Sequence, residues 1–218
     1  MGWLMGLLFP AKCVLCGTVL RDGQEDLCDP CWIHGPHCPQ SRKKLPFLDG
    51  WTAVWYYEGL SRRSLLRYKF YGKRAYAVQY ARLLARKIQQ EHPEAFDCLT
   101  WVPISRLRKL RRGFDQVELL ARYVGRELGM EPVKLLHKIR HNRPQSGIVG
   151  EAHRRANVLG VYRITDPEFV RDKKILLLDD IITTGATVGE AARVLLTAGG
   201  ANVFAGAVAI AGHRTKDK

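Results

Sequence analysis

Asp179 and Asp180 stand side by side behind four aliphatic residues, 175–178, and a run of small and hydroxyl-bearing residues follows: Thr183, Thr184, Gly185, Ala186 and Thr187. The aliphatic run suits a strand buried on both faces of a parallel sheet. Beyond Thr187, the apolar residues Val188, Ala191, Ala192, Leu195 and Leu196 recur at helical spacing. A strand, a tight turn and a helix N-terminus in that order make an anion site, because the first backbone N–H groups of a helix lack intrahelical partners and its dipole favours negative charge there. Glycine at 185 permits positive φ and close approach of a ligand, and the threonine hydroxyls add donors. Two acids beside such a cradle would repel a phosphate. They are explained if they accept hydrogen bonds from sugar hydroxyls or hold the waters of a Mg²⁺ that neutralises further phosphates. Anion at the helix and diol at the carboxylates together describe a sugar phosphate.

The stretch ILLLDDIITTGAT, residues 175–187, resembles the thirteen-residue signature of the type I phosphoribosyltransferases, proteins that bind 5-phosphoribosyl-1-pyrophosphate (PRPP). The resemblance implies an α/β fold, a parallel sheet flanked by helices.

A second constellation lies near the N-terminus. Cys13 and Cys16 form one CxxC knuckle, Cys28 and Cys31 another, with eleven residues between them. Each knuckle points two thiolates at one ion, and two knuckles close a tetrahedral Cys₄ zinc site with no open position, hence a structural one. A segment of this size has little core of its own, so metal binding supplies the missing stability. The expectation is one zinc per chain, with Cys38 free and His34 and His37 near enough in sequence to be alternative ligands. Residues 1–45 then form a small N-terminal zinc-binding module and 46–218 a second domain, with Arg42, Lys43, Lys44 and Pro46 as the linker.

The charge balance narrows the partners. Thirty-five Lys and Arg against twenty-one Asp and Glu give a formal net charge of +14, which favours nucleic acid, an anionic membrane surface or phosphorylated small molecules. No apolar run reaches the ~18 residues of a membrane span. The apolar residues 1–10 lack the basic start and cleavage site of a signal peptide and are expected to pack on the protein body. Six cysteines without an export signal point to a cytoplasmic chain, and the charge leaves room for the inner face of the membrane.

Residues 51–57 read as a strand from their aromatic and β-branched content. Residues 60–90 turn helical and contain no acid. Arg62, Arg63, Arg67, Lys69, Lys73 and Arg74 are interleaved there with Tyr68, Phe70, Tyr71, Tyr76 and Tyr80, the composition of a surface that tracks a phosphate backbone and stacks on bases. The same pattern fits a helix pair whose aromatics are core and whose charges are solvated. Residues 98–102 read as a buried strand delivering Pro103, Ile104 and Ser105 to a loop. Arg106, Arg108, Lys109, Arg111 and Arg112 follow, five positive charges in seven residues, suited to a pyrophosphate. A helix opens at 113–116 and runs to about 128. Residues 133–136 read as a short strand, 137–155 as a cationic loop able to act as a lid, 163–174 as a surface connection, 202–210 as the last strand and 213–218 as a tail.

With these pieces assembled, the chain resembles the ComF family, which joins an N-terminal zinc module to a phosphoribosyltransferase-like domain and is associated with DNA uptake in natural transformation. The resemblance rests on the paired knuckles, on VP…RRGFDQ…LLA at 102–121, on QSG at 145–147 with Arg154 and Asn157, and on the signature above. It implies that Asp179 and Asp180 form the catalytic pair and hold the ribose hydroxyls. Thr183, Thr184, Gly185, Ala186 and Thr187 would bind the 5-phosphate, and Ser105, Arg111 and Arg112 would face the pyrophosphate, bridged by Mg²⁺. It further implies single-stranded DNA as a partner, and a DNA-uptake helicase or recombination mediator as a protein partner if the chain is a PRPP sensor. A phosphoribosyltransferase of nucleotide salvage, passing ribose 5-phosphate to a base, is the alternative. Two departures stand out. Asp115 replaces the Asn common in RGFNQ, giving up an amide donor near the pyrophosphate, and Ser41 replaces the Cys of a third knuckle.

Overall fold

The computed structural model describes residues 10–39, 44–140 and 159–212. The expectations for residues 1–9, for the basic pair at 42–43, for QSG with Arg154 and Asn157, for most of the lid and for the tail lie outside them. The backbone of the molecule is a four-stranded parallel sheet in the order β1-β6-β5-β2, where β1 is Gly50–Tyr56, β2 Cys98–Trp101, β5 Lys174–Ile182 and β6 Asn202–Ile210. An antiparallel pair, β3 (Leu136–Lys138) and β4 (Tyr162–Ile164), stands beside it. All four parallel strands are almost wholly buried, as expected when helices cover both faces.

Two apolar layers sandwich the sheet. On one face α2 (Gly59–Phe70), α3 (Tyr76–Glu91) and α5 (Gln116–Leu128) pack over Leu176 and Leu178 of β5, with Leu65, Tyr68, Tyr80, Leu84 and Leu120 fully buried. On the other, α7 (Ala186–Thr197) and the β3–β4 pair cover Ile175 and Leu177. Alternation along the strand sends consecutive aliphatic residues to opposite layers.

Several expectations shift. The strand does not end at residue 178: β5 stays paired with β6 through Ile182↔Ile210, so both acids lie within the strand and the bend falls at 183–185. Pairing placed the strand expected at 133–136 further on, as β3. The basic loop after β2 is a helix, α4 (Arg106–Arg112), whose N-cap Ser105 accepts from Arg108 N at 3.4 Å. Arg, Lys and Leu are good helix formers, and the run lacks the apolar stripe that would have disclosed it. The connection 163–174 holds β4 and a short helix, α6 (Pro167–Val170), capped by Asp166.

The N-terminal segment is joined to the main core. Its short helix α1 (Asp29–His34) carries the second knuckle, while Val14, Leu15 and Leu27 lie in the same apolar layer as α2 and α3. Cys38 N donates to Val54 O at 3.0 Å and Tyr56 N to Pro36 O at 2.7 Å, so residues 36–38 extend the sheet beyond β1. In the intended linker, Leu45 is buried and packs against Gly185, and Pro46 meets Gly189 of α7.

Candidate functional site

The β5–α7 turn has the form of an anion cradle. Gly185, the N-cap of α7, sits at φ +82° with no side-chain cap. A Cβ there would fall 2.9 Å from Leu45 Cδ2, so both conformation and packing require glycine. Thr184 Oγ1 accepts from Ala186 N at a long 3.4 Å. Thr183, Thr184 and Thr187 are half-buried beside the helix N-terminus, while Ala186 is buried.

The acids diverge. Asp180 faces the α2/α5 layer, where Lys69 Nζ lies 2.8 Å from Oδ1 and Gln116 Nε2 2.9 Å from Oδ2. Tyr68, one residue before Lys69, donates its hydroxyl to Gln116 O at 2.6 Å and steadies that arrangement. Asp179 faces the β3–β4 side; its Oδ1 accepts from Asp180 N at 2.8 Å. Burial, and then the charge of Asp180, push the Asp179 carboxyl up to about 8. Burial and Arg108 depress Lys138 to about 8, with Asp179 pulling the other way. Among the described residues, each side leaves a buried polar atom unpartnered: Gln116 Oε1 beside Asp180 and the Tyr162 hydroxyl on the Asp179 side. Period-two alternation accounts for the divergence, so the two carboxylates do not present a common face. Gln116 and Lys138 were given no place in the site by sequence reading, and Lys69, expected on a nucleic-acid surface, is bound to Asp180 instead. The only signal lay in Gln116, at the end of the RRGFDQ motif.

The basic segment is only partly turned toward this centre. Ser105 is buried at the start of α4, Arg111 is exposed, and the Arg112 guanidinium lies 4.8 Å from the Phe70 ring centroid. Asp115 is the N-cap of α5. Its Oδ1 accepts from Val117 N at 3.0 Å and Glu118 N at 3.1 Å, and its Oδ2 from Ile104 N at 3.3 Å. The acid at this position thus accepts three amides and ties the 103–105 loop to the helix, a use that needs no amide donor. A groove of about 900 Å³ opens between α4 and the β3–β4 pair, lined by Pro103, Ser105, Arg106, Lys138 and Arg163 among others.

The two readings of residues 60–90 each hold for part of the stretch. Tyr68 and Tyr80 are core, with rings 5.4 Å apart edge to face. Lys69 belongs to Asp180, and Arg67 Nη2 donates to Leu15 O at 2.5 Å, joining α2 to the first knuckle. Ser64 also donates to Val14 O. Arg62, Arg63, Lys73 and Arg74 are exposed, as are Phe70 and Tyr71.

The sulfurs of Cys13, Cys16, Cys28 and Cys31 all lie within 4.8 Å of one another, and those of Cys16 and Cys28 are 3.6 Å apart. Thiolates ~2.3 Å from a zinc ion would be about 3.8 Å apart at the edges of a tetrahedron, so the set fits one ion. Among the described residues no other group of three or more His, Cys, Asp or Glu converges in this way. Cys38 is elsewhere, its thiol raised to about 11 by burial, and His37 Nε2 lies 2.7 Å from Trp32 O.

Known proteins sharpen this picture. Residues 110–218 match the family model of the phosphoribosyl transferase domain. Competence protein ComFC of Streptococcus pneumoniae is 30% identical over 228 residues, spanning 88% of this chain and 96% of that one. Competence protein F of Haemophilus influenzae is 25% identical over 214 residues, 86% and 91% of the two chains. Among solved structures, glutamine PRPP amidotransferase from B. subtilis matches 64% of this chain and 30% of its own length, at 19% identity and a TM-score of 0.42. The helices of the described residues are none of them long and apolar enough to cross a membrane. With its phosphoribosyl transferase domain, its four-cysteine cluster and its near-full-length likeness to competence proteins, the chain belongs to the ComF family.

Proposed function

We propose that this protein binds PRPP at the β5–α7 turn, holds one structural zinc in its cysteine cluster, and serves DNA uptake by contacting incoming single-stranded DNA. The observation that carries the reading is the anion cradle: a glycine-capped helix N-terminus at the end of a buried strand that carries two acids. The amides of α7 and the hydroxyls of Thr183, Thr184 and Thr187 receive the 5-phosphate. The ribose hydroxyls approach Asp180 from the α2/α5 side; Asp179 is turned to the opposite face of β5, so the expected pair of sugar-binding acids reduces to one. At Asp180 they compete with Lys69, whose ammonium is then released toward the negative charge of the pyrophosphate. Gln116 Oε1, buried and unpartnered among the described residues, is a further acceptor for a hydroxyl. Ser105, Arg111 and Arg112 border the pyrophosphate, and Arg108 and Lys138 add charge at its edge. Mg²⁺ bound with the ligand would neutralise pyrophosphate oxygens, its waters held by the carboxylates.

Binding PRPP and consuming it are separate properties, and likeness of fold speaks to the first. If PRPP is consumed, the bond from C1 to pyrophosphate loosens toward an oxocarbenium-like state, and the protein contributes positioning and neutralisation of the leaving charge. The relatives' names favour a role in DNA uptake over nucleotide salvage. The reading is tested by calorimetric titration of PRPP with and without Mg²⁺, using ribose 5-phosphate as a weaker comparator. Saturable heat that is larger and tighter for PRPP supports it, and no heat for either ligand removes it. Base-dependent pyrophosphate release across a panel of purines and pyrimidines would instead establish salvage.

A further inference from the structure

The turn between α2 and α3 and the C-terminal end of α4 lie against each other at the surface. Arg74 Nη2 donates to Gly113 O at 3.2 Å, its guanidinium carbon sits 4.7 Å from the Phe114 ring centroid, and Arg112 covers Phe70 at 4.8 Å. The ridge so formed carries large apolar side chains that a soluble surface normally hides: Phe70 is 59% exposed, Tyr71 72% and Leu110 81%. Lys73, Arg74 and Arg111 are exposed around them. No Asp or Glu occurs in residues 60–90 or 104–114, so both contributing segments are purely cationic. Lys69, adjoining Phe70, reaches back to Asp180, which places the ridge at the rim of the phosphoribosyl site.

We infer that this ridge is the single-strand contact surface, with Tyr71 and the Arg112–Phe70 pair as stacking platforms and Lys73, Arg74 and Arg111 following the phosphates. The inference rests on the DNA-binding reading above and gives it a place. It differs from the expectation of a whole basic helix: Arg67 and Lys69 are bound internally, Tyr68 and Tyr80 are core, and the contact surface is confined to the turn and its neighbour. Unstacked bases offer a π-face to an exposed ring whatever their identity, whereas duplex DNA keeps its faces paired and stacked. The occupant is therefore a single strand of little sequence preference.

The test is fluorescence anisotropy of a labelled oligothymidine with the full chain over a range of salt concentrations, alongside a duplex of equal length and vesicles containing anionic lipid. Tyr71→Ala is expected to weaken single-strand binding by about tenfold with the salt slope unchanged, because it removes stacking and no charge. Tyr71→Trp is expected to restore it. Lys73→Gln should instead lower the salt slope by about one. Tyr71 takes no part in the phosphoribosyl site, so Tyr71→Ala should leave PRPP titration heats as in the wild type. Wild-type single-strand affinity in Tyr71→Ala would overturn the assignment while leaving DNA binding in place. Absence of DNA binding by the wild-type chain would overturn both. Equal affinity for duplex and single strand, or vesicle binding that depends on Tyr71 while DNA binding does not, would also overturn it.

Discussion

The two faces of β5 are built from one strand and one pair of identical acids, yet they treat those acids differently. On the α2/α5 face, Asp180 is met by an ammonium and an amide, and the helix that supplies the ammonium is itself tied to the cysteine cluster by Ser64 and Arg67. On the β3–β4 face, Asp179 is buried, its Oδ1 accepts from the neighbouring Asp180 amide, and its proton affinity is raised. A doublet of acids in a parallel strand therefore has two environments on opposite faces of the strand, one met by a fixed cation and one open to protonation. The apolar layers divide in the same way, with the cysteine knuckles in one and α7 with its N-terminal turn in the other.

Metal removal should break the comparison most strongly. Chelation, or Cys28→Ser, takes away a cross-link whose loss costs several kcal/mol, and the melting temperature should fall by on the order of 10 °C or more. Because Val14 and Leu15 pack on α2, hydrogen exchange should rise first in α2 and α3 and last in β6 and α7. Metal analysis should return one zinc per chain; two would contradict the assignment. Next comes Lys69→Met. It leaves Asp180 with Gln116 alone in a buried place, and a loss of about 3 kcal/mol is expected from removing one partner of such a pair. Denaturant unfolding measures it, and restoration in the double variant Lys69→Met, Asp180→Leu would show that the cost was the stranded charge.

The open face gives a pH signature. The folded pKa of Asp179 is about 8, against ~3.9 for an unfolded aspartate. Between those values the native state holds a proton that the unfolded state has released, so this group's contribution to stability declines as pH rises from about 4 to about 8. Lys138, depressed to about 8, acts in the opposite sense above that pH, where the unfolded lysine is still protonated up to ~10.4. Asp179→Asn should therefore gain on the wild type in thermal melts as pH rises through the window, and match it below pH 4. The smallest effect concerns Asp115. Loss of its cap in Asp115→Ala should cost about 1 kcal/mol, and Asp115→Asn should cost part of that, because it keeps the oxygen that accepts from Val117 N and Glu118 N but turns an NH2 group toward Ile104 N. Both are read from denaturant midpoints.

Much of this arrangement was legible in the residue order. β1, β6, α5 and the strand–turn–helix at 174–197 follow from periodicity, and the cysteine spacing announced a cluster that does converge. The divergence of the acids was missed, because the pair was read together as one diol-binding group; with both inside the strand, alternation separates Asp179 from Asp180. What covers each acid was not legible. Lys69 reaches Asp180 from 111 positions away, a distance that no local pattern spans, and its basic neighbours made it look like one more surface charge. The α4 helix was hidden because its charges mask its propensity. For the tyrosines two readings stayed open, core or stacking surface, because Tyr68 and Tyr80 have the same side chain as Tyr71 and only the fold decides that the first two are buried and the third exposed. Composition described the stretch correctly on average and misplaced individual residues.

The central claim is that the first turn of α7 holds a phosphate, and Thr187→Glu tests it most directly. A carboxylate in the first turn suits the helix dipole, so the fold should be retained or slightly stabilised, while the same charge repels a bound phosphate. Calorimetric titration with PRPP and Mg²⁺ should show binding to the wild type and a loss of at least tenfold in Thr187→Glu, at unchanged melting temperature. Unchanged PRPP affinity in that variant would place the ligand elsewhere and contradict the account.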